Sequence, residues 1–226
     1  MYKTRRDTKN SPELFWGIDT QPERLNAVLK YTSNNFNILD LGCGRGAYTE
    51  TLNRKGFKTT GIDAYEYPEW ETKPDDWFIQ TPASSLPFED KKFDMTISFE
   101  VLEHCSEPTK VLEEVARVTS KYFILSVPNC DLNNTLRNHD LAMAHWTDPT
   151  HCNFFTKETI VALLQEHKFK ILEISDCYKI SPNNYFWDSV KLPKKLTNFA
   201  KKVFARLNLT ETYYSSILVI TEVFNK

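Results

Sequence analysis

The motif Glu100-x-x-Glu103-His104 carries side chains that are suited to proton transfer. If a helical turn begins at Glu100, the three polar side chains lie at positions i, i+3 and i+4 and share one face. An imidazole titrates near neutral pH, so His104 could remove a hydroxyl proton or orient an acceptor, with Glu103 steering its ring. The alternative is a structural histidine that packs beneath a loop.

Two carboxylates and an imidazole on one turn could instead bind Mg²⁺ or another divalent cation. A further ligand would come from residues 148–156, where His151 is the expected partner. The candidate catalytic residues are therefore His104, Glu103 and His151, and the candidate metal ligands are Glu100, Glu103, His104 and His151. The same short motif also suits a site without a metal, so both hypotheses stay open.

Residues 129–156 show no clear hydrophobic period and contain three of the five histidines. A loop of that length in a compact domain is usually functional or poorly ordered. Side chains that could line an acceptor pocket here and further along the chain are His139, His145, Trp146, Tyr185 and Trp187. For His139 and His145, the role of an ordinary loop residue is the favoured interpretation.

The glycine-rich turn Asp40-Leu41-Gly42-Cys43-Gly44-Arg45-Gly46 follows a short apolar strand and precedes a helical pattern. Glycines let a ligand approach the backbone, and the start of the helix offers unpaired N–H groups. Asp63 ends the next predicted strand, where a carboxylate can accept both hydroxyls of a ribose. The glycine spacing differs from that of the dinucleotide fingerprint, and Asp40 would repel a pyrophosphate, so a cationic ligand is favoured.

Short apolar strands alternate with helical segments, which predicts an α/β fold with a parallel sheet. The predicted strands are residues 37–41, 58–63, 77–79, 93–99, 122–127, 169–174 and 216–223. The predicted helices are residues 22–29, 48–55, 108–118, 157–167 and 194–207. Ligands of open α/β sheets bind at the carboxyl ends of the strands, which is where the glycine turn and the Glu100 motif both fall.

The last predicted helix, residues 194–207, lies in a polar and aromatic insertion. Its apolar stripe is Leu196, Phe199, Val203 and Leu207, and the basic residues around it are Lys191, Lys194, Lys195, Lys201, Lys202 and Arg206. The favoured interpretation is a cap helix that packs on the core through this stripe, because apolar residues at this spacing usually face a core. A membrane-surface helix and a clamp for an anionic acceptor are the alternatives.

The 226-residue chain has a net charge of −2 and five cysteines, Cys43, Cys105, Cys130, Cys152 and Cys177. An odd number without a C-x-x-C pair indicates free thiols, so a reducing compartment, the cytoplasm, is expected. The near-neutral charge argues against a nucleic-acid partner. The sequence contains no run of 18 apolar residues, so no transmembrane segment is predicted. The first residues do not form a secretion signal. Nothing in the sequence indicates the oligomeric state.

In their order and spacing, these motifs resemble the class I S-adenosylmethionine-dependent methyltransferases. The matching strings are residues 38–46, 61–63, 86–90, 92–94, 100–104, 125–129 and 154–156. The likeness covers residues 37–175 and the last strand. It is strongest to the branch that contains the ubiquinone-type O-methyltransferases and many small-molecule methyltransferases, while the Glu100 motif with His151 also looks like the small-RNA 3′-end 2′-O-methyltransferases.

The resemblance implies a Rossmann-like seven-stranded sheet with the last strand antiparallel, helices on both faces and a C-terminal cap insertion. Residues 1–226 would form a single domain. Its expected parts are an N-terminal helical lid at residues 1–36, a core at 37–177, a cap insertion at 178–214 and a final strand at 215–226.

The resemblance further implies S-adenosylmethionine as the cofactor and S-adenosylhomocysteine as the product. The turn would face the methionine moiety, Asp63 would hold the ribose hydroxyls, and Ala64 would lie beside the adenine. The expected cofactor-binding residues are Asp40, Gly42, Cys43, Gly44, Gly46, Asp63, Ala64, Ala83, Phe99 and Glu100. Members of the family often carry an acid after the third strand that meets the adenine amino group, and residues 80–84 contain none.

The function expected from this resemblance is O-methylation of a small polar or aromatic acceptor, such as a sugar, a nucleotide-linked metabolite or a phenol. One alternative is a divalent-metal-dependent RNA 3′-end 2′-O-methyltransferase, which the net charge of −2 weighs against. The other is a protein that binds S-adenosylmethionine without catalysing transfer.

Overall fold

The computed structural model describes residues 19–131, 144–180, 186–187, 189–207 and 213–224. The helices are α1 (Pro22–Tyr31), α2 (Ala47–Arg54), α3 (Pro108–Val118), α4 (Lys157–Glu166) and α5 (Lys194–Leu207). The strands are β1 (Asn37–Leu41), β2 (Lys58–Asp63), β3 (Phe78–Gln80), β4 (Phe93–Phe99), β5 (Thr119–Pro128), β6 (Phe169–Ile180) and β7 (Tyr213–Val223). Short 3₁₀ turns span Pro68–Thr72, Leu102–His104 and Ala144–Trp146.

The seven strands form one sheet in the order β3-β2-β1-β4-β5-β7-β6. Strands β1 to β5 pair in parallel, whereas β7 runs antiparallel to both of its neighbours, β5 and β6. This arrangement confirms the predicted Rossmann-like sheet with its last strand antiparallel. Because the carboxyl ends of parallel strands lie at one edge, the turns after β1, β2 and β4 come together there.

Apolar side chains cover both faces of the sheet, which is why the central strands read as near-continuous apolar runs. In β1, Leu39 and Leu41 pack into one buried cluster with α3 and α4, while Ile38 packs into another cluster with α1 and α2. The helices therefore lie on both faces of the sheet, as predicted. Packing on both faces fixes the central strands, and with them the turns at their carboxyl ends.

Strands β6 and β7 extend further than the sequence predicts. Their pairing continues to Ile180 opposite Tyr213, so the segment between them is residues 181–212 and not 178–214. The outer part of β6 is mostly exposed, and its side chains show no apolar alternation there. Backbone hydrogen bonds to β7 carry this part of the ladder, and the side-chain pattern therefore missed it.

Helix α5 forms at the predicted residues, but the prediction that its apolar stripe faces the core is wrong. Leu196, Phe199 and Leu207 are 56%, 69% and 59% exposed. Thr197 is buried and Phe204 packs against Trp187 with ring centroids 5.4 Å apart, so the covered side of the helix lies about a third of a turn away from the stripe. Among the described residues, no helix is long and apolar enough to cross a bilayer.

Candidate active site

The glycine turn lies at the carboxyl end of β1, directly against the end of β2. The backbone N–H of Gly44 donates to Asp63 Oδ2 at 3.0 Å, and the backbone N–H of Tyr65 donates to Asp63 Oδ1 at 3.0 Å. These two amides fix the orientation of the Asp63 carboxylate. Its predicted role toward a ribose stays a prediction, but the turn and the acid do meet as the sequence indicated.

Two glycines of the turn need the absence of a side chain for different reasons. Gly46 has a φ of 88° and starts α2, and a Cβ there would collide with the ring of Phe78. Gly44 has a φ of 54°, and a Cβ on it would meet open space. The open side of Gly44 is a position where a ligand can approach the backbone, whereas Gly42 and Gly46 are packed from behind by Val101 and Phe78.

Asp40 is buried beneath the turn and ties β1 to α2. Its Oδ2 accepts the backbone N–H of Thr49 at 3.0 Å and the Thr49 hydroxyl at 2.7 Å. Burial raises the pKa of Asp40 to about 7, because desolvation disfavours its charged form more than the two hydrogen bonds favour it. Burial likewise raises the pKa of the neighbouring Cys43 thiol. Through its two bonds to Thr49, Asp40 holds the first turns of α2 against β1.

The region expected beside the adenine lies at the ends of β2 and β3. Ala64 is exposed, Ala83 is half-buried against the core, and Gln80 donates from Nε2 to the Ala64 carbonyl at 3.2 Å. The amide of Gln80 thus bridges the two strand ends where related proteins often carry an acid. The contacts of Ala64 and Ala83 with a cofactor stay predictions.

Glu100 does not share a face with Glu103 and His104, and the prediction of a helical turn beginning at Glu100 is wrong. Glu100 has a φ of 58°, and the 3₁₀ turn begins only at Leu102. The carboxylate of Glu100 forms an ion pair with Arg24 of α1 and accepts the Ser126 hydroxyl at 2.9 Å. It is accordingly absent from the group of candidate ligand atoms described below.

Arg24 is a residue of the site that sequence reasoning missed. Its guanidinium carbon lies 5.5 Å from the centroid of the Phe99 ring, whose other contact is Tyr48 at a centroid distance of 4.7 Å. The side chain of Arg24 is 11% exposed and that of Glu100 is 17% exposed. This pair joins α1 to the end of β4, where Phe99 and Glu100 were expected to contact the cofactor.

The 3₁₀ turn is clamped to residues 148–153 of the later loop. The Glu103 carbonyl accepts the backbone N–H groups of Cys152 at 2.7 Å and Asn153 at 3.1 Å. The Asn153 side chain donates from Nδ2 to the carbonyls of Leu102 at 3.0 Å and Cys105 at 2.6 Å. Because of these four bonds, His151 arrives beside His104, as the sequence analysis proposed.

Glu103, His104 and His151 form one compact cluster. One donor atom from each lies within 4.8 Å of the others, and the two imidazole rings stand edge to face with centroids 4.7 Å apart. The Nε2 atom of His104 lies 3.9 Å from Glu103 Oε1. Glu103 is buried, whereas the His104 side chain is 41% exposed, so a small molecule can reach the cluster at His104.

Hydrogen bonds at the outer nitrogens set the tautomers of both histidines. The Thr150 hydroxyl donates its proton to Asp148 Oδ1 at 2.7 Å, so His104 Nδ1, 3.0 Å from that hydroxyl and 3.2 Å from the Thr150 carbonyl, must be the donor. His151 Nδ1 donates to the His145 carbonyl at 2.9 Å. In the neutral rings, each Nε2 therefore carries a lone pair that can accept a proton or bind a metal.

The carboxyl group of Glu103 has an unusual environment. It is 1% exposed, and both of its oxygens are buried without a hydrogen-bond partner among the described residues. Burial, and then the nearby Glu100, raises the pKa of Glu103 well above its usual value. Burial and the neighbouring His151 lower the pKa of His104, so its ring is neutral near pH 7.

The cluster has the donor set of a divalent-cation site. Two imidazole nitrogens with carbonyl or hydroxyl partners behind them, together with one carboxylate, match the ligands that transition metals take in proteins. A cation would also compensate the buried Glu103 carboxylate, which the described part of the chain leaves without a hydrogen-bond donor. The residues present therefore fit a metal ion bound by Glu103, His104 and His151, but not by Glu100.

The residues predicted to line an acceptor pocket have different outcomes in the structure. His139 and Tyr185 lie outside the described residues. His145 is buried, burial lowers its pKa to about 4, and its carbonyl orients His151, a contribution that no side-chain pattern predicts. Trp146 stacks on Phe154 with centroids 4.9 Å apart, and both rings are partly exposed beside the clamped loop.

Comparisons with known proteins agree with this geometry. A family model described as "Methyltransferase domain" matches residues 14–174. The ubiquinone biosynthesis O-methyltransferase of Pseudoalteromonas translucida is 30% identical over 124 residues, which is 47% of this chain and 52% of that protein. The chain thus spans about half the length of the curated relatives it matches.

Solved structures show the same fold. A SAM-dependent methyltransferase from Methanosarcina mazei superposes with a TM-score of 0.63 at 20% identity, covering 92% of this chain and all of that one. The 1,6-didemethyltoxoflavin-N1-methyltransferase of Burkholderia thailandensis, solved with bound S-adenosylhomocysteine, gives a TM-score of 0.60 at 16% identity over 90% of this chain and 78% of that one.

The sheet order, the glycine turn against Asp63 and the family match over most of the chain agree with one another. The chain therefore belongs to the methyltransferase-domain family.

Proposed function

We propose that the protein transfers the methyl group of S-adenosylmethionine to a hydroxyl oxygen of a small polar or aromatic acceptor, such as a sugar, a nucleotide-linked metabolite or a phenol. The observation that carries this proposal is the cluster at the carboxyl edge, in which a solvent-accessible His104 presents an unprotonated Nε2 next to buried Glu103. The partial likeness to ubiquinone biosynthesis O-methyltransferases supports a hydroxyl acceptor.

On the cofactor side, Asp63 would accept the ribose hydroxyls. A carboxylate offers about four lone-pair directions, so the two backbone amides that orient it do not exhaust its capacity. The methionine moiety would lie over the open face of Gly44, and Phe99 and Glu100 at the end of β4 would border the reacting centre.

In the transfer step, the acceptor O–H bond breaks and its proton passes to His104 Nε2. S-adenosylmethionine, when bound, would supply the methyl group: the acceptor oxygen would form a bond to the methyl carbon as the C–S bond breaks, and the electron pair of that bond would stay on sulfur. The products are the methyl ether, neutral S-adenosylhomocysteine and a protonated imidazole. Glu103 Oε1 lies 3.9 Å from Nε2, so the carboxyl group would stabilise that imidazolium in its ionised form.

The same three side chains would hold a divalent cation. Such an ion, when bound, lowers the pKa of a coordinated hydroxyl and so supplies the acceptor oxygen in its anionic form. His104 Nε2 cannot bind an ion and accept the acceptor proton together, so the base and the metal ligand are alternatives for that nitrogen. Removing metal ions separates them.

The first test is His104→Ala, measured with labelled S-adenosylmethionine against pools of phenols, sugars and nucleotide-linked metabolites. Turnover should fall by about 100-fold or more, since a positioned base contributes that much or more, while calorimetric affinity for the cofactor stays within about twofold. The matched control is His167→Ala, whose ring Nδ1 donates to the Leu163 carbonyl near the end of α4, away from the cluster. Full activity of His104→Ala would refute the assignment.

The second test treats the active protein with a chelator and then restores Mg²⁺ or Mn²⁺. Loss of activity that either ion reverses would assign Glu103, His104 and His151 as ligands, and unchanged activity would assign His104 as the base. Binding of Mn²⁺ followed by magnetic resonance gives a readout without turnover, and it should disappear in His151→Ala. A 3′-hydroxyl RNA oligomer in the same assay tests the RNA alternative, which the net charge of −2 disfavours.

A further inference from the structure

Helix α5 exposes apolar side chains that a soluble surface would normally bury. Leu196, Phe199 and Leu207 are each more than half exposed, and Phe186 and Leu192 just before the helix are 57% and 48% exposed. Single exposed apolar residues are ordinary, but several large ones on one short segment mark an interaction surface. We call the stripe of Leu196, Phe199, Val203 and Leu207 the α5 stripe.

The same segment is strongly basic. Residues 189–207 contain six Lys and Arg residues and no Asp or Glu, which leaves the rest of the chain with a net charge of −8. Five of these cations are exposed to solvent, namely Lys191, Lys194, Lys195, Lys202 and Arg206. A surface that is apolar and positive inside an otherwise acidic protein favours a partner that is apolar and negative.

The helix geometry places the two features side by side. Successive residues turn by about 100°, so Lys195, Lys202 and Arg206 form a row next to the α5 stripe on the flank away from Thr197 and Phe204. Thr197 is buried, and Phe204 packs against Trp187. The apolar stripe and its basic row therefore face outward together, which is the arrangement of a helix lying in a membrane interface.

We propose that α5 docks on the surface of a bilayer that contains anionic lipids, with the α5 stripe among the acyl chains and the basic row among the phosphates. A second copy of this chain would bring two like-charged segments together. A nucleic acid would neutralise the cations but leave Leu196, Phe199 and Leu207 in water. An anionic bilayer satisfies both features, and the proposal stands independently of the acceptor that the active site takes.

The test is vesicle flotation of the full chain with phosphatidylcholine alone and with about one third phosphatidylglycerol. The protein should float with the anionic vesicles and stay behind with the neutral ones. The triple variant Lys195→Gln, Lys202→Gln, Arg206→Gln should lower the partition coefficient by about 100-fold, since each basic residue near an anionic surface contributes about fivefold. Phe199→Ser should lower it by about tenfold or more.

Matched controls change the same chemistry at exposed positions elsewhere. The triple Lys55→Gln, Lys58→Gln, Lys92→Gln removes the same charge, and Phe224→Ser removes a side chain that is 56% exposed. Both should float like the unchanged protein, and circular dichroism checks that every variant is folded. Equal loss in control and test triples would overturn the proposal, because net charge alone would then explain binding.

Two other results would overturn it in favour of a different occupant. A dimer in sedimentation that Phe199→Ser converts to a monomer, with no vesicle binding, would assign the α5 stripe to a second copy. Binding of an RNA oligomer that the basic triple abolishes and Phe199→Ser retains, again without flotation, would assign it to nucleic acid. Failure to methylate soluble acceptors would refute the proposed function but would not bear on the membrane proposal, because flotation requires no turnover.

Discussion

Two buried acids lie at the carboxyl edge of the sheet, and they differ in what surrounds them. Asp40, beside the glycine turn, is 3% exposed and accepts two hydrogen bonds from Thr49. Glu103, beside the two histidines, is 1% exposed and accepts none among the described residues. Because native proteins rarely leave buried polar atoms unpaired, we infer that the first acid serves the fold and that the second is kept for a ligand.

The largest expected effect tests this contrast with matched apolar replacements. Glu103→Leu should lower methyl transfer by about 100-fold or more but leave the free energy of unfolding unchanged or higher, because it removes an unsatisfied buried carboxyl. Asp40→Leu should lower the unfolding free energy by about 1–3 kcal/mol, since the Thr49 N–H and hydroxyl lose their acceptor. Urea denaturation and turnover measure both. Strong destabilisation by Glu103→Leu would contradict the contrast, because it would show that both acids stabilise the fold.

A smaller effect is expected from replacing Asp63. Its carboxylate accepts two backbone N–H groups, as an acid that serves the fold does, and it is also expected to bind the cofactor. Asp63→Ala should weaken S-adenosylmethionine binding by about 1–3 kcal/mol, or roughly 5- to 150-fold, because the ribose hydroxyls lose a charged acceptor. Isothermal calorimetry measures the change, and Asp75→Ala, at an exposed position, is the control. Unchanged affinity would remove Asp63 from the cofactor site.

The most gradual effect is a pH dependence that separates Asp40 from ordinary surface acids. Its pKa is about 7 in the folded protein, against 3.8 normally, so between these values the folded state keeps a proton that the unfolded state has lost. The unfolding free energy should therefore fall as pH rises from about 4 to 7, by at most about 1.4 kcal/mol per pH unit, and level off above. Denaturation of the unchanged protein and Asp40→Asn over this range checks it, and identical slopes would contradict it.

The sequence predicts the placement of the glycine turn against Asp63 because the signals for it are local. The glycine turn, the strand before it and Asp63 at the next strand end are each legible within a few residues. Parallel pairing then requires β1 and β2 to end side by side. A strand order known from the fold family supplies the rest.

The other half depends on long-range contacts that no local pattern encodes. Glu100 turns away from Glu103 because its backbone has a positive φ and because Arg24, 76 residues earlier, holds its carboxylate. The histidine tautomers depend on Thr150 and on a main-chain carbonyl at His145. Helical periodicity found the α5 stripe, but it could not tell whether the stripe faces the core or the solvent, since both give the same spacing.

The clamp at Glu103 separates two duties within one residue. Its main-chain carbonyl anchors the later loop, and its side chain alone enters the cluster. A replacement at position 103 therefore changes the chemistry offered to a ligand without releasing the loop that delivers His151. Single substitutions at position 103 can therefore change the reactivity of the cluster while the loop stays in place. This is one physical route by which a common fold comes to act on many acceptors.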